Sequence, residues 1–416
     1  MSKTNAGRFF EDYTLGQVIE HAVPRTVGEG ERALYHALYP ARHALYSSDV
    51  FAAQSGLEGS PIDDLAAFHV VFGKTVPDIS LNAVANLGYA EGRWLLPVYP
   101  GDTLRAVSEV IGLKQNSNGK TGVVWVRTTG LNQMEEPVLS YVRWVMVRKG
   151  NLDAPAPETH VPELAGVIAP EDLKIPEGLD FTGYDFALAG EPHRWGDYAV
   201  GEKIDHVDGV TIEEAEHMLA TRLWQNTAKV HFDATFRPDG QRLIYGGHII
   251  SMARALSFNG LANAQMIVGL NGGAHANPCF SGLTVKAWSE VLDKAETSAP
   301  GVGAVRLRLV AVSGGDAFTL YGIAQEYAKL GDAPRAIEFY DKCLLADPAY
   351  CYAYYHKAKV QSDHDDPAAA ANEPSASRLA NTFTQASVVE AYAGQDSEPS
   401  AYLIVCLFTC RPIVAG

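Results

Sequence analysis

The sequence has little that would direct it to a nucleic acid or a membrane surface. Charged residues make up only 20% of the 416 residues, and 33 basic residues face 49 acidic ones, for a formal net charge of −16. A surface of this sign repels nucleic-acid phosphates and anionic lipids, so we expect neither as the main partner. A local basic pocket for a small anionic ligand is compatible with this charge balance.

Long apolar runs and paired cysteines are also missing. The opening MSKTNAGRFFEDY lacks the apolar segment of a secretory signal, and the late run Tyr402–Phe408 is far too short to span a bilayer. The five cysteines form no CxxC pair and no zinc-type spacing, and Cys406-x-x-x-Cys410 alone is weak evidence for a metal. We therefore expect a cytoplasmic protein with reduced thiols and no metal site.

An internal repeat is the strongest pattern that the sequence does contain. FEDYTLGQVIEH (10–21) matches WGDYAVGEKIDH (195–206), 185 residues later. LPVYPGDTLRAVSEV (96–110) matches NPCFSGLTVKAWSEV (277–291), 181 residues later. Two ordered matches at nearly one separation indicate a duplicated domain of ordinary size.

The repeat sets the expected domain boundaries. We expect one copy at 1–150 and the other at 193–313, joined by a proline-rich linker at 151–192. Each copy has an apolar segment of helical length, 65–73 or 248–258, before segments rich in Val, Tyr and Trp with partial alternation. One helix packed on an antiparallel sheet is an α+β arrangement.

These features together resemble the hotdog fold of the MaoC-like, (R)-specific enoyl-CoA hydratase family, over about residues 1–313. The resemblance is carried by SPIDDLAAFHVVFGKTVPDISLNAVANLGYA, VYPGDTL, GEKIDHVDGVTIEEAEH, TRLWQNTAKVHFD and IYGGHIISMARALSFNGLANA. It implies a double hotdog and reversible syn addition of water to an α,β-unsaturated acyl-CoA. The most similar double-hotdog members convert mesaconyl-CoA to β-methylmalyl-CoA in acetate assimilation or related carbon metabolism. The resemblance implies no cofactor beyond the coenzyme A of the substrate, and we expect a homo-oligomer.

The family's hydratase motif, Asp-x-Asn-Pro-x-His-x-Asp-x-x-Phe, falls on WQNTAKVHFDATF (224–236). By this resemblance His231 is the proton shuttle, a role that suits its near-neutral pKa. Asn226 stands where the family has its first acid; an amide cannot act as a base but can orient water. If the substrate carries its own carboxylate, an amide avoids charge repulsion. Asp233 either orients His231 or is a solvated turn acid.

The first copy lacks this chemistry at the equivalent positions. Ala41 stands where the second copy has Asn226, and Tyr46 stands where it has His231. Because only one copy keeps the polar pair, we interpret that copy as catalytic and the other as catalytically blank. Asp63 and Asp64 of the first copy are interpreted as acids that stabilise a helix N-terminus, with a thioesterase-type acid as the alternative.

Substrate binding is expected around the segment IYGGHIIS. Tyr245, Gly246 and Gly247 precede a helical run, where unpaired backbone N–H groups favour an anionic oxygen; the plainer alternative is that these glycines only start a helix. His248 is expected to be structural. Candidate cations for a substrate carboxylate are Arg222, Lys229, Arg237 and Arg242, of which we favour Arg242 and Lys229.

The C-terminal quarter departs from the hydratase pattern. Residues 320–348 have tetratricopeptide spacing, so we interpret 314–359 as a helical hairpin with a possible peptide or protein partner. Residues 360–416 are interpreted as a tail of low order. The alternative function is therefore an inactive hotdog scaffold with a protein-interaction segment.

One strand is missing from the second copy. The first copy ends in three strand-like segments, the last at 138–148, whereas the second shows only 286–296 and 304–312 before helical sequence begins. A sheet without its last strand would expose an unpaired edge. The only later strand-like run, 400–410, either returns to complete that sheet or is a loose hydrophobic terminus.

Overall fold

The computed structural model describes residues 3–275, 277–314, 317–346, 351–363 and 401–409. The strands are β1 (Val18–Thr26), β2 (Ala83–Trp94), β3 (Thr103–Gln115), β4 (Thr121–Leu131), β5 (Pro137–Arg148), β6 (Lys203–Thr211), β7 (Met266–Gly273), β8 (Thr284–Glu296), β9 (Val302–Gly314) and β10 (Ala401–Thr409). The helices are α1 (Glu29–Leu38), α2 (Ala44–Ser47), α3 (Asp49–Gln54), α4 (Asp64–Thr75), α5 (Phe186–Ala189), α6 (Glu214–Leu223), α7 (Lys229–Phe232), α8 (Gly246–Leu256), α9 (Phe258–Leu261), α10 (Ala317–Lys329), α11 (Ala333–Ala346) and α12 (Cys351–Asp363).

All ten strands form one sheet, in the order β1-β3-β4-β5-β2-β7-β10-β9-β8-β6. Its two halves have the same internal order and meet where β2 pairs with β7. In that pairing Tyr89 lies opposite Gly273, and Gly92 lies opposite Leu270. These two pairs exchange with each other when 181 is added to each first-copy number, which is the separation found in the sequence. The duplication is therefore present in the fold as a pseudo-two-fold relation.

The last strand of the second half comes from far along the chain. β10 pairs with β9 and with β7, as β5 pairs with β4 and β2 in the first half. Cys406 and Leu407 of β10 are fully buried. Of the two alternatives for residues 400–410, the structure shows the returning strand, because without it β7 and β9 would both lack a partner.

The sequence analysis omitted one strand in each copy. β2 and β7 were not predicted, although the two final strands of the first copy and both expected strands of the second are present. β2 contains Gly88 and Gly92, and β7 ends in Gly272 and Gly273, residues that weaken a strand signal. At Gly92 a Cβ would lie only 2.8 Å from that of Leu270. Glycine is thus needed where the two copies approach each other.

The central helices α4 and α8 lie in a core shared by both copies. Every residue of α4 is buried, and so is every residue of α8 after Gly246. A helix that is apolar on nearly all sides is stable only when surrounded by protein. Gly73 of α4 lies so close to Trp224 of the second copy that a Cβ would meet its carbonyl oxygen. This close packing brings α4 of the first copy against the second copy's site.

The linker between the copies contributes to a second core. Leu179, Phe181 and Tyr184 are buried there, and the Tyr184 hydroxyl donates to Asn263 Oδ1 at 2.9 Å. Tyr46 of the first copy belongs to the same cluster. The expected surface linker therefore also closes the first copy from outside.

The C-terminal segment contains three helices. α10, α11 and α12 enclose a small core with Ala324, Ala336 and Tyr340 fully buried. The helical hairpin is present, while its tetratricopeptide character stays a prediction. Most of the low-order tail that we predicted, 364–400 and 410–416, lies outside the described residues. None of the helices in the described ranges is long and apolar enough to cross a membrane.

Candidate active site

His231 lies in the short helix α7 and is held through one ring nitrogen. Its Nδ1 donates to the Leu243 carbonyl at 2.7 Å, which leaves Nε2 as the basic nitrogen. No hydrogen bond to Nε2 is found within the described ranges. The ring is half-buried, and burial lowers the pKa of His231 below its usual 6.5, against the opposing effect of the Leu243 hydrogen bond. His231 is thus a neutral, oriented base at physiological pH.

The start of α8 lies beside this imidazole. Tyr245 is the N-cap residue, and its ring centroid is 5.9 Å from that of His231. The N–H groups of Gly246 and Gly247 have no backbone acceptor within the described residues, as expected at a helix start. A Cβ at Gly247 would lie 2.3 Å from the Tyr245 ring. The site therefore brings together His231, Tyr245, Gly246 and Gly247, as predicted.

Buried polar side chains fix the position of Tyr245. Its N–H donates to His217 Nε2 at 2.9 Å, and its hydroxyl lies 3.2 Å from His69 Nδ1. His69 Nε2 in turn lies 2.7 Å from the hydroxyl oxygen of Ser251. Burial lowers the pKa of His69 and of His217 to about 3, so both imidazoles are neutral. This network joins α4, α6 and α8 and makes the helix start rigid.

Asn226 and Asp233 have different surroundings. Asn226 is only 2% exposed, and its Oδ1 accepts from the Ala228 N–H at 3.3 Å. Asp233 is exposed, and its Oδ1 accepts from the N–H and the hydroxyl of Thr235. Neither makes a hydrogen bond to His231 in the described part of the chain. Asp233 is the solvated turn acid, and the Leu243 carbonyl orients His231 in its place.

The expected cations are not free to meet a buried carboxylate. Arg242 forms an ion pair with Glu214 at 2.5 Å, and Arg237 with Asp239 at 2.5 Å. Lys229 and Arg222 are exposed. Arg242 and Lys229 remain predictions as substrate contacts. His248 is structural, as expected: its Nδ1 lies 3.0 Å from the Tyr39 hydroxyl in the core.

The equivalent place in the first copy is filled by its own side chains. The Tyr46 hydroxyl donates to Asp64 Oδ2, which also accepts from the Ile267 N–H at 2.7 Å. Burial, reinforced by Asp63, raises the pKa of Asp64 to about 7. The Trp94 indole N–H donates to the Asp64 carbonyl at 2.8 Å. Asp63 caps α4 through the Leu65 N–H, as interpreted from the sequence.

Two residues near the second copy's site were missed by the sequence analysis. His275 follows β7, and its imidazole lies against Gly246, where a Cβ would be 2.3 Å from His275 Cε1. Its Nε2 is 3.3 Å from the hydroxyl oxygen of Tyr89, in β2 of the first copy. Neither residue belongs to the hydratase motif. The separation of 181 residues in the repeat, which aligns His275 with Trp94, was the available signal.

The first 324 residues match a family model described as mesaconyl-CoA hydratase. The chain is 80% identical over 313 residues to a mesaconyl-CoA hydratase of Cereibacter sphaeroides, which covers 75% of this chain and 91% of that protein. It is 60% identical over 316 residues to a beta-methylmalyl-CoA dehydratase of Chloroflexus aurantiacus, covering 74% of this chain and 89% of that protein.

Solved structures confirm the double hotdog. A MaoC domain protein dehydratase from Chloroflexus aurantiacus superposes with a TM-score of 0.78 at 46% identity, covering 99% of this chain and all of that one. A Mycobacterium tuberculosis protein with a double hotdog fold superposes with a TM-score of 0.59 at 25% identity, covering 74% of this chain and 93% of that one. The tetratricopeptide character of the C-terminal helices is supported by neither likeness.

Proposed function

Because this chain belongs to the mesaconyl-CoA hydratase family of MaoC-like double-hotdog dehydratases, we propose that it catalyses the reversible hydration of mesaconyl-CoA to β-methylmalyl-CoA. It is a hydro-lyase by family. The observation that carries the proposal is the neutral His231 imidazole, oriented by Leu243, beside an open helix start at Gly246 and Gly247. The alternative of an inactive scaffold is not favoured, because these groups are all in place.

The helix start supplies the charge stabilisation that hydration needs. When water attacks the β carbon, the π electrons move toward the α carbon and the thioester oxygen, which becomes an oxyanion. The N–H groups of Gly246 and Gly247 and the positive end of the α8 dipole favour that charge. Because the donors belong to a buried, rigid helix, little reorganisation is required during the reaction.

His231 manages the proton. Its Nε2 accepts a proton from the attacking water while the oxygen bonds to the β carbon. The imidazolium then returns this proton to the α carbon on the same face, which corresponds to syn addition. One water is consumed and no proton is released overall. Dehydration follows the same steps in reverse.

Asn226 is proposed to help position the water without adding negative charge. An aspartate at this buried position would repel the carboxylate that mesaconyl-CoA carries next to its β carbon. The amide offers both a donor and an acceptor at the same place. The substitution of the family's first acid is therefore explained by the charge of the substrate.

A panel of enoyl-thioesters tests the proposal directly. The full-length protein is mixed with mesaconyl-CoA, crotonyl-CoA and a longer monocarboxylic enoyl-CoA, and the loss of enoyl-thioester absorbance is followed. The highest kcat/KM is expected for mesaconyl-CoA. Turnover of crotonyl-CoA with none of mesaconyl-CoA would reject the substrate, and no turnover of any thioester would reject the enzyme.

Several further expectations belong to this proposal. Catalysis needs no cofactor beyond the substrate's coenzyme A, the protein is a cytoplasmic homo-oligomer, and α10–α12 offer a surface for a peptide or protein. Within the described residues Cys279 and Cys406 form no disulfide, which is compatible with a reducing compartment. Mass measurement in solution tests the oligomeric state.

A further inference from the structure

His275 occupies a position at this site that the proposed reaction leaves unexplained. Its imidazole lies against Gly246, at the first turn of α8, and its electrostatic influence reaches His231. It is half-buried in a segment where the two copies meet. Any thioester oxygen bound at the N–H groups of Gly246 and Gly247 would therefore come close to this ring.

The repeat shows that His275 differs from its counterpart as the known site residues do. In the blank copy its counterpart is Trp94, whose indole N–H is already used on the Asp64 carbonyl. The same comparison pairs Tyr46 with His231 and the closed helix start with the open one. His275 is thus one more position at which only the second copy carries a polar group directed at the helix start.

Tyr89 gives the imidazole its orientation. The Tyr89 hydroxyl is 3.3 Å from His275 Nε2, and the two rings are perpendicular, at 88°. Tyr89 is fully buried and lies in β2, which pairs with β7 just before His275. Its counterpart by the repeat is Leu270, which cannot orient an imidazole. If the Tyr89 hydroxyl donates to Nε2, the ring proton is on Nδ1.

We propose that His275 is a catalytic electrophile, donating its Nδ1–H to the thioester oxygen alongside the N–H groups of Gly246 and Gly247. This inference rests on the proposed hydratase reaction. No bond to His275 forms or breaks; the hydrogen bond strengthens as the π electrons move onto the thioester oxygen. Burial, together with His231, lowers the pKa of His275 to about 4, so the imidazole is neutral at pH 7 and is suited to donate without acting as an acid.

The kinetic test uses His275→Leu, which removes the donor, and His275→Gln, which keeps an N–H. Loss of one oxyanion donor typically lowers kcat by roughly 100- to 1,000-fold. We expect such a loss for His275→Leu with both mesaconyl-CoA and crotonyl-CoA, little change in KM, and partial recovery in His275→Gln. The matched control is Trp94→Phe in the blank copy, which should leave kcat unchanged.

A spectroscopic test reports the hydrogen bond without turnover. Butyryl-CoA with a ¹³C-labelled thioester carbonyl is saturated and cannot be hydrated, and its carbonyl stretch is read by infrared difference spectroscopy under saturating protein. Binding to the wild-type protein should lower the stretching frequency, and His275→Leu should lose part of that shift. If His275→Leu is insoluble, Tyr89→Phe replaces it and should lose a smaller part.

The outcomes separate this inference from the proposed function. A folded His275→Leu protein with unchanged kcat and an unchanged carbonyl shift would overturn the electrophile. So would a loss confined to mesaconyl-CoA, since that would make His275 a contact of the substrate carboxylate. If the wild-type protein hydrates crotonyl-CoA but not mesaconyl-CoA, the proposed substrate fails while the infrared result still decides the role of His275.

Discussion

The two copies share a five-strand order and a buried central helix, yet their helix starts are opposite in character. At α8 two glycines leave backbone N–H groups open beside a basic imidazole. At α4 the Asp64 carboxyl group is already at that place, held by Tyr46 and the Ile267 N–H. A helix N-terminus favours an anionic oxygen, and a carboxyl group of the protein can take the position that a substrate oxygen would occupy. Duplication thus left one site open and one filled from within.

The halves also differ in how each obtains its fifth strand. β5 follows β4 after a tight connection, Leu131 to Pro137, whereas β10 begins 87 residues after β9 ends, counted from Gly314 to Ala401. Both strands nevertheless pair on both sides within the same sheet. The second half therefore depends on a long return of the chain that the first half does not need.

Removal of β10 should affect the protein more than any single substitution. Deleting 399–416 would leave β7 and β9 without a partner over their length, and unpaired edges promote aggregation. We expect loss of soluble protein. The matched deletion of 317–363 removes α10–α12 but keeps β10, and should be tolerated. A truncated 1–398 protein with unchanged solubility and melting temperature would contradict the role given to β10.

His231→Ala should abolish most activity without unfolding the protein. A positioned acid–base group contributes roughly 100- to 10,000-fold to the rate, and we expect kcat on mesaconyl-CoA to fall by that range. Tyr46→Phe, at the equivalent position of the blank copy, serves as the control and should leave kcat unchanged. Near-full turnover by His231→Ala would mean that the site lies elsewhere.

Asn226→Asp should change the substrate preference. The new carboxylate would repel the carboxylate of mesaconyl-CoA in a buried site but not the neutral acyl chain of crotonyl-CoA. We expect the ratio of kcat/KM for crotonyl-CoA to that for mesaconyl-CoA to rise by about 10-fold, which is about 1.4 kcal/mol. Ala41→Asp, at the blank position, is the control. An unchanged or reversed preference would sink this explanation of the amide.

Asp64→Asn should change stability without changing activity. Because burial raises the pKa of Asp64 to about 7 from an ordinary 3.8, the folded state favours the protonated form. Its contribution to stability is fully present below about pH 4 and is lost as the pH rises through about 7. Asparagine can accept the same hydrogen bonds without ionising. We expect Asp64→Asn to be more stable than wild type at pH 8, by about 1–3 kcal/mol, and equal to it at pH 4. Urea unfolding at both pH values measures this, and an equal difference at the two would exclude Asp64 as its source.

Much of the site could be predicted because its residues lie in one short segment. The spacing of Asn226, His231 and the Gly246–Gly247 pair is local, and the duplicated sequence showed which copy carries it. The final strands and central helices followed from ordinary hydrophobic periodicity. β2 and β7 were missed because glycines at Gly88, Gly92, Gly272 and Gly273 weaken their pattern, although close packing between the copies requires such residues.

The sequence by itself determined the duplication, the α+β class and the one copy that keeps a histidine in the hydratase motif, because these depend on residue types at fixed separations. Only the tertiary structure decided that the Leu243 carbonyl, rather than Asp233, orients His231. It alone placed Tyr89 and His275 of different copies at one helix start and put β10 between β7 and β9. The physical reason is the same in each case: these contacts join residues distant in the chain, and they form only when the two helices and the ten-stranded sheet close around a common core.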